Sequence, residues 1–258
     1  MVDKQNDQNN GVNVEKQKNG SKEIVLFDAL IYCEFAGDEE APVLVLLHGN
    51  GEELHIFDAQ IRYFSQYFRT IAIDTRGHGK STRGEEPLTF HTFANDLTDV
   101  FEALQIDRAH IVGFSDGAIT ALHLALTHPE LVKSMVLLGA NYNPKGLRWF
   151  PRLQIKFVYA CLTIASLFSE KKRQRKEIWR LMVSQPNLTL EQLSRIKTPA
   201  LIVTGENDMV SQRHNDEMHF VIAGSKRLII PKGNHFWMFR QPEALNQCVM
   251  DFLKSIIG

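Results

Sequence analysis

From about residue 24 onward, short apolar runs rich in Val, Ile and Leu alternate with longer stretches in which apolar residues recur every three or four positions. The runs at residues 24–27, 30–35, 43–47, 70–73, 110–112, 135–138, 200–203 and 227–230 are compact and bounded by turn residues. That is the signature of strands, most of them buried on both faces of a sheet. Between them, Phe93, Leu97, Val100, Phe101 and Leu104 fall on one helical face, and so do Ala118, Ile119, Leu122 and Leu126. Residues 242–257 carry Leu245, Val249, Phe252 and Ile256 in the same period and predict a closing helix. The whole pattern predicts an α/β chain: a mostly parallel sheet of about eight strands flanked by helices.

Two segments depart from the rhythm. The first 23 residues lack an apolar stretch and are rich in Asn, Gln, Lys and Asp, which predicts a mobile polar tail over residues 1–21, neither a signal peptide nor an anchor. Residues 141–187 hold no strand-like run, while Trp149, Phe150, Phe157, Tyr159, Phe168 and Trp179 crowd together beside Lys171, Lys172, Arg173, Arg175 and Lys176. This is read as a small helical cap inserted into one core made of residues 22–140 and 188–258. Its apolar stretch at 153–168 falls short of the ~20 residues a bilayer span requires, so a buried or lid helix is expected and no stable membrane insertion. The basic run is able to touch an anionic surface, although a solvated face is the commoner use of such a run.

Composition narrows the field further. A chain of 258 residues, 44% hydrophobic and 23% charged, suits one large core, and a formal charge of −1 removes the electrostatic reason to expect nucleic acid or an anionic membrane as the main partner. Cys33, Cys161 and Cys248 are odd in number, far apart and each set in an apolar stretch; they read as buried free thiols of a cytoplasmic protein. Gly79-Lys80-Ser81 resembles part of a phosphate-binding loop, but the glycine that loop needs at position 74 is Asp74. No dinucleotide fingerprint, zinc-protease motif or pair of C-x-x-C motifs is present, so no cofactor and no metal are expected.

The chemistry concentrates at the ends of the predicted strands. Gly113-Phe114-Ser115-Asp116-Gly117 stands directly after one strand and before a helix. That is the context of a nucleophile elbow, where a serine is exposed on a strained turn and small neighbours let strand and helix approach. Such a pentapeptide arises by chance in roughly one chain in ten of this length. A serine nucleophile also needs a base, and the base an orienting carboxylate. Asp208 follows the strand at 200–203 and His235 the strand at 227–230, both just past carboxyl ends, where open α/β sheets place their sites. His48-Gly49-Asn50-Gly51 after the strand at 43–47 offers an oxyanion hole, with the backbone N–H groups of Asn50 and Asp116 as donors. His48 itself is read as a brace for that loop. Gly51, Phe114 and Phe236 are expected to contact substrate.

These residues, with the run Asp74-Thr75-Arg76-Gly77-His78-Gly79-Lys80-Ser81, resemble the α/β-hydrolase superfamily in its lidded, single-domain, esterase-like branch. Gly113-Phe114-Ser115-Asp116-Gly117 and the following Ala118-Ile119-Thr120-Ala121-Leu122 are similar to the biphenyl-hydrolase-like group, which includes enzymes cleaving amino-acid esters. The resemblance implies a serine hydrolase of carboxylesterase type (EC 3.1.1.-) acting through an acyl-serine, since relatives with aspartate as nucleophile, the haloalkane dehalogenases and epoxide hydrolases, differ at the position of Ser115. Carboxylic ester, thioester, lactone and amide all remain open as the scissile bond. A cofactor-independent lyase or perhydrolase on the same three residues, and a non-catalytic binding protein on the same fold, are the alternatives. The expected partner is a small, apolar, ester-like molecule; Asp116, Glu52 and Glu53 also suit a cationic group such as an α-amine. Monomer and homodimer are both open.

Overall fold

The computed structural model describes residues 20–257. Most of the tail expected over 1–21 lies outside those residues, and Gly20 and Ser21 already belong to a strand. Eight strands form one sheet: β1 (Gly20–Val25), β2 (Leu30–Ala36), β3 (Val43–Leu47), β4 (Arg69–Ile73), β5 (Ala109–Phe114), β6 (Val132–Leu138), β7 (Ala200–Gly205) and β8 (Lys226–Ile230). Their order is β1-β2-β4-β3-β5-β6-β7-β8, with β2 antiparallel to both neighbours and every pairing from β4 to β8 parallel.

The central strands are buried on both faces, which is why their sequences read as unbroken apolar runs. On one face Val45, Leu47 and Ile111 pack with Leu97 and Phe101 of α2 (Phe90–Ala103) and Ala121 and Leu122 of α3 (Asp116–Thr127). On the other, Leu44, Leu46 and Val112 pack with Phe64 of α1 (Asp58–Phe64) and Leu245, Val249 and Phe252 of α8 (Pro242–Ile257). The chain order reverses around β3, whose crossovers run to β4 on one side while the next strand, β5, lies on the other. Open sheets of this kind place their ligand crevice at the carboxyl ends of the strands flanking that reversal.

Between β6 and β7 the chain leaves the sheet and forms α4 (Trp149–Ala165) and α5 (Glu170–Ser184), then the short α6 (Leu190–Leu193); α7 (Gln212–Val221) lies between β7 and β8. The root of α4 is fixed to the body, because Leu147 bridges Val210 and the Arg148 N–H donates to the Met209 carbonyl (2.8 Å).

Two expectations fail in detail. β1 spans residues 20–25 and not 24–27: Leu26 closes a turn by donating to the Ala29 carbonyl (2.8 Å), and Phe27 is fully exposed. An edge strand needs partners on one side only, so a polar Gly-Ser-Lys-Glu stretch pairs as well as an apolar one and leaves no periodic signal. Of the three thiols, Cys33 is buried and Cys248 half-buried, but Cys161 is exposed on α4; all are free. No helix among the described residues is long and apolar enough to cross a membrane.

Candidate active site

β5 runs directly into Ser115, whose backbone is at φ +50°, ψ −111°. A side-chain-bearing residue there is strained. Two hydrogen bonds hold it: the Ser115 N–H donates to the Leu138 carbonyl of β6 (2.8 Å), and the Ser115 carbonyl accepts from Ile119 in the first turn of α3 (3.0 Å). The flanking glycines are sterically required. A Cβ on Gly113 would stand 2.5 Å from the Ala118 nitrogen, and one on Gly117 would collide with the Leu47 carbonyl of β3. Ser115 therefore sits where β3, β5 and α3 converge, at the positive end of the α3 dipole.

Asp208 and His235 arrive from the next two strands. Asp208 is 1% exposed, and its Oδ1 accepts from the Val210 N–H (3.0 Å) and lies 2.8 Å from His235 Nδ1. His235 is 6% exposed, with Nε2 3.2 Å from Ser115 Oγ. A carboxylate partner accepts a hydrogen bond from Nδ1–H and so holds the proton on Nδ1, which leaves the Nε2 lone pair facing the serine hydroxyl. Space for the imidazole comes from Gly139 at the end of β6: at φ +62°, a Cβ there would lie 2.7 Å from His235 Cε1 and 2.8 Å from Nδ1. Phe114 packs its ring on the imidazole with centroids 5.0 Å apart.

The loop after β3 closes the other side. His48 is buried, its Nδ1 donating to the Gly49 carbonyl (2.8 Å) and its Nε2 accepting from the Thr75 N–H (3.0 Å). Burial pushes its pKa down to about 3, so it is a neutral brace. The Gly49 N–H donates to Glu52 (3.0 Å), and the Asn50 amide donates both to Asp116 Oδ2 (2.8 Å) and to the Ile178 carbonyl of α5 (2.9 Å). Asn50 thus ties the β3 loop to α3 and to the inserted helices. Among the described residues, the backbone N–H groups of Asn50 and Asp116 have no acceptor within the protein. Burial raises Asp116 to about 6, against the opposing pull of the Asn50 hydrogen bond and His235. Burial likewise raises Glu52 to about 7, opposed by the Gly49 N–H and His235.

A narrow cleft of about 20 Å³, room for little more than a water molecule, opens over Ser115, Asp116 and His235. Its walls are Ile119 from α3, Leu147, Ile155 and Met182 from the inserted segment, and Met209 and Val210 beside Asp208. An open groove on the far side of His235 is lined by Trp149, Phe150, Met209 and Phe236. Of the residues expected to meet substrate, Phe236 lies on this groove. Phe114 is buried beneath His235, and Gly51, at φ +71°, lines neither space. Gly139, Met182 and the Asn50–Ile178 bond carry no signal in the sequence.

A model of the alpha/beta hydrolase fold family matches residues 42–177. The serine hydrolase BPHL of Homo sapiens is 27% identical over 91% of this chain and 86% of its own length. The 3-oxoadipate enol-lactonase 1 of Acinetobacter baylyi is 26% identical over 85% of this chain and 91% of its own. Among solved structures, carboxylesterase CesB (YbfK) from Bacillus subtilis superposes with a TM-score of 0.75 at 22% identity, covering 92% of each chain. From the strand order, the crevice at its reversal and this family match together, it follows that the chain belongs to the alpha/beta hydrolase fold family.

Proposed function

We propose that the chain is a serine hydrolase that cleaves a small ester-type bond, a carboxylic ester, thioester or lactone, through an acyl-serine intermediate. The observation that carries the reading is the relay of Ser115 Oγ to His235 Nε2 at 3.2 Å and His235 Nδ1 to Asp208 at 2.8 Å, mounted on a left-handed elbow. Strain at a single non-glycine residue persists only where the surroundings over-determine it, and such residues cluster at active sites.

In this reading His235 Nε2 takes the hydroxyl proton as Ser115 Oγ bonds to the substrate carbonyl carbon. The carbonyl electron pair moves onto oxygen, and the free N–H groups of Asn50 and Asp116 receive it. As the carbonyl re-forms, the leaving group departs with the proton from the imidazolium. His235 next deprotonates a water, which attacks the acyl carbon, and the acid leaves as Ser115 regains its proton. Asp208 stays ionised and keeps the imidazole in the required tautomer. Residues 141–187 act as the cap: Leu147, Ile155 and Met182 close an apolar cleft over the serine, and the Asn50–Ile178 bond couples cap position to the oxyanion loop.

The relatives named above support ester-type chemistry. Asp116 suggests a refinement, because this residue lines the cleft while only the Asn50 amide donates to its carboxyl. A substrate ammonium would supply the missing counter-charge, so esters bearing an amine fit this site well.

The test is labelling of the wild type and Ser115→Ala with a fluorophosphonate, alongside hydrolysis of p-nitrophenyl acetate and longer-chain esters. Labelling and turnover by the wild type alone are expected. Equal labelling of both proteins, or of neither, overturns the assignment.

A further inference from the structure

We propose that the outer face of the α4–α5 hairpin is a docking surface for an anionic lipid membrane. Three observations converge on it. First, α4 turns a large apolar face to solvent: Phe150, Leu153, Phe157 and Ile164 are spaced by three, four and seven positions, and all are exposed. The face continues into the turn before α5, where Leu167 is 74% and Phe168 85% exposed. A contiguous apolar face of this kind marks an interaction site.

Second, the near-zero charge of the chain is the sum of two opposed parts. Residues 141–187 hold ten Lys and Arg against two Glu, a net of +8, while the remainder holds 19 basic against 28 acidic residues, a net of −9. Third, the charge and the apolar tip adjoin: Lys171, Lys172, Arg173 and Arg175 are all exposed in the first turns of α5, directly after Phe168. Aromatic and aliphatic residues on an exposed helix, flanked by Lys and Arg, are the composition of helices that lie in a membrane interface. The negative potential of an anionic leaflet attracts such clusters.

The same features disfavour other occupants. A symmetric contact between two caps would set +8 against +8. Nucleic acid would satisfy the cations but leave the Leu and Phe residues uncovered. No helix among the described residues is long and apolar enough to span, so the contact proposed is one at the surface. The apolar face begins at Trp149 and Phe150, which also line the groove beside His235. If the hydrolase reading holds, a docked protein presents that groove to amphiphilic esters in the membrane.

The experiment is flotation of the full chain with phosphatidylcholine vesicles with and without phosphatidylglycerol, which reads binding without turnover. Binding to the anionic vesicles alone is expected, weakening as salt is raised. The variant K171Q/K172Q/R173Q/R175Q, and separately L167S/F168S, should each bind about tenfold more weakly or worse, with unchanged melting temperature and unchanged turnover of p-nitrophenyl acetate. These side chains are exposed, so the variants fold. Any of four results overturns the proposal: no binding to either vesicle, equal binding to both, binding unaffected by the substitutions, or a DNA duplex or self-associated dimer that forms through the same residues while vesicles are ignored. An inactive protein that still floats refutes only the hydrolytic reading.

Discussion

Replacing Gly139 with alanine adds one carbon beside His235 and leaves the identity of all three relay residues unchanged. The new Cβ would stand 2.7 Å from His235 Cε1 and 2.8 Å from Nδ1, where ordinary contact begins near 3.4 Å, so the ring must move by about 0.7 Å. The Ser115–His235 separation is already 3.2 Å; a displacement of that size carries it out of hydrogen-bonding range. Misplacement approaching 1 Å costs on the order of 10²-fold in rate, so kcat/KM for p-nitrophenyl acetate should fall about 30- to 100-fold with KM little changed. The backbone at φ +62° adds a second penalty, roughly 1–2 kcal/mol for alanine in the left-handed region, which lowers the melting temperature by about 3–8 °C. Gly224→Ala separates the two effects. It has the same handedness, φ +73°, but nothing within 4 Å of its Cβ, so it should lose the stability and keep the activity. A folded Gly139→Ala protein that retains kcat/KM within about twofold of wild type refutes the reasoning, as does an equal loss in Gly224→Ala.

Asn50→Asp should lower kcat/KM about tenfold or more, because it sets an acceptor against the Asp116 carboxyl and the Ile178 carbonyl that Asn50 now bonds; steady-state kinetics with the melting temperature as control decides it. Asp116→Asn should erase any preference for p-nitrophenyl esters bearing an α-amine over plain ones, by about tenfold, and a wild type that prefers anionic esters sinks the idea. Stability should fall as pH drops from about 6.5 to 4.5. Burial holds His48 near 3 and His110, His123 and His214 near 4, so the unfolded chain takes up protons that the folded protein refuses. Asp116 at about 6 and Glu52 at about 7 act in the opposite sense, since there the folded protein holds protons that the unfolded chain releases. Among these six groups, four against two leaves a net uptake of about two protons on unfolding, each worth about 1.4 kcal/mol per pH unit; a urea midpoint higher at pH 5 than at pH 7 contradicts this accounting.

What could be read from the chain follows from how each feature is encoded. The parallel strands are legible because both faces are buried, and the elbow because its steric demands fall on residues two positions either side of Ser115. Asp208 and His235 are found from their place just past a strand, which the sheet topology turns into proximity over 27 and 120 residues of chain. Gly139 escapes notice since its requirement is set by a histidine 96 positions later, and a lone glycine after a strand looks like any turn. The Asn50–Ile178 bond escapes for the same reason, as a side chain paired with a backbone carbonyl 128 residues away.

Charge conceals more than contacts do. A net of −1 argues against an anionic partner only when the charges are mixed over the surface, because a Debye length of about 8 Å lets opposite fields on separate parts of a molecule act independently. Here the segment between β6 and β7 gathers nearly all the excess cations on one hairpin, beside apolar side chains that the body does not cover. The same helical segment that walls the cleft over Ser115 therefore carries its own electrostatic character, and the sheet is free to position Ser115, Asp208 and His235 without specifying what the hairpin meets.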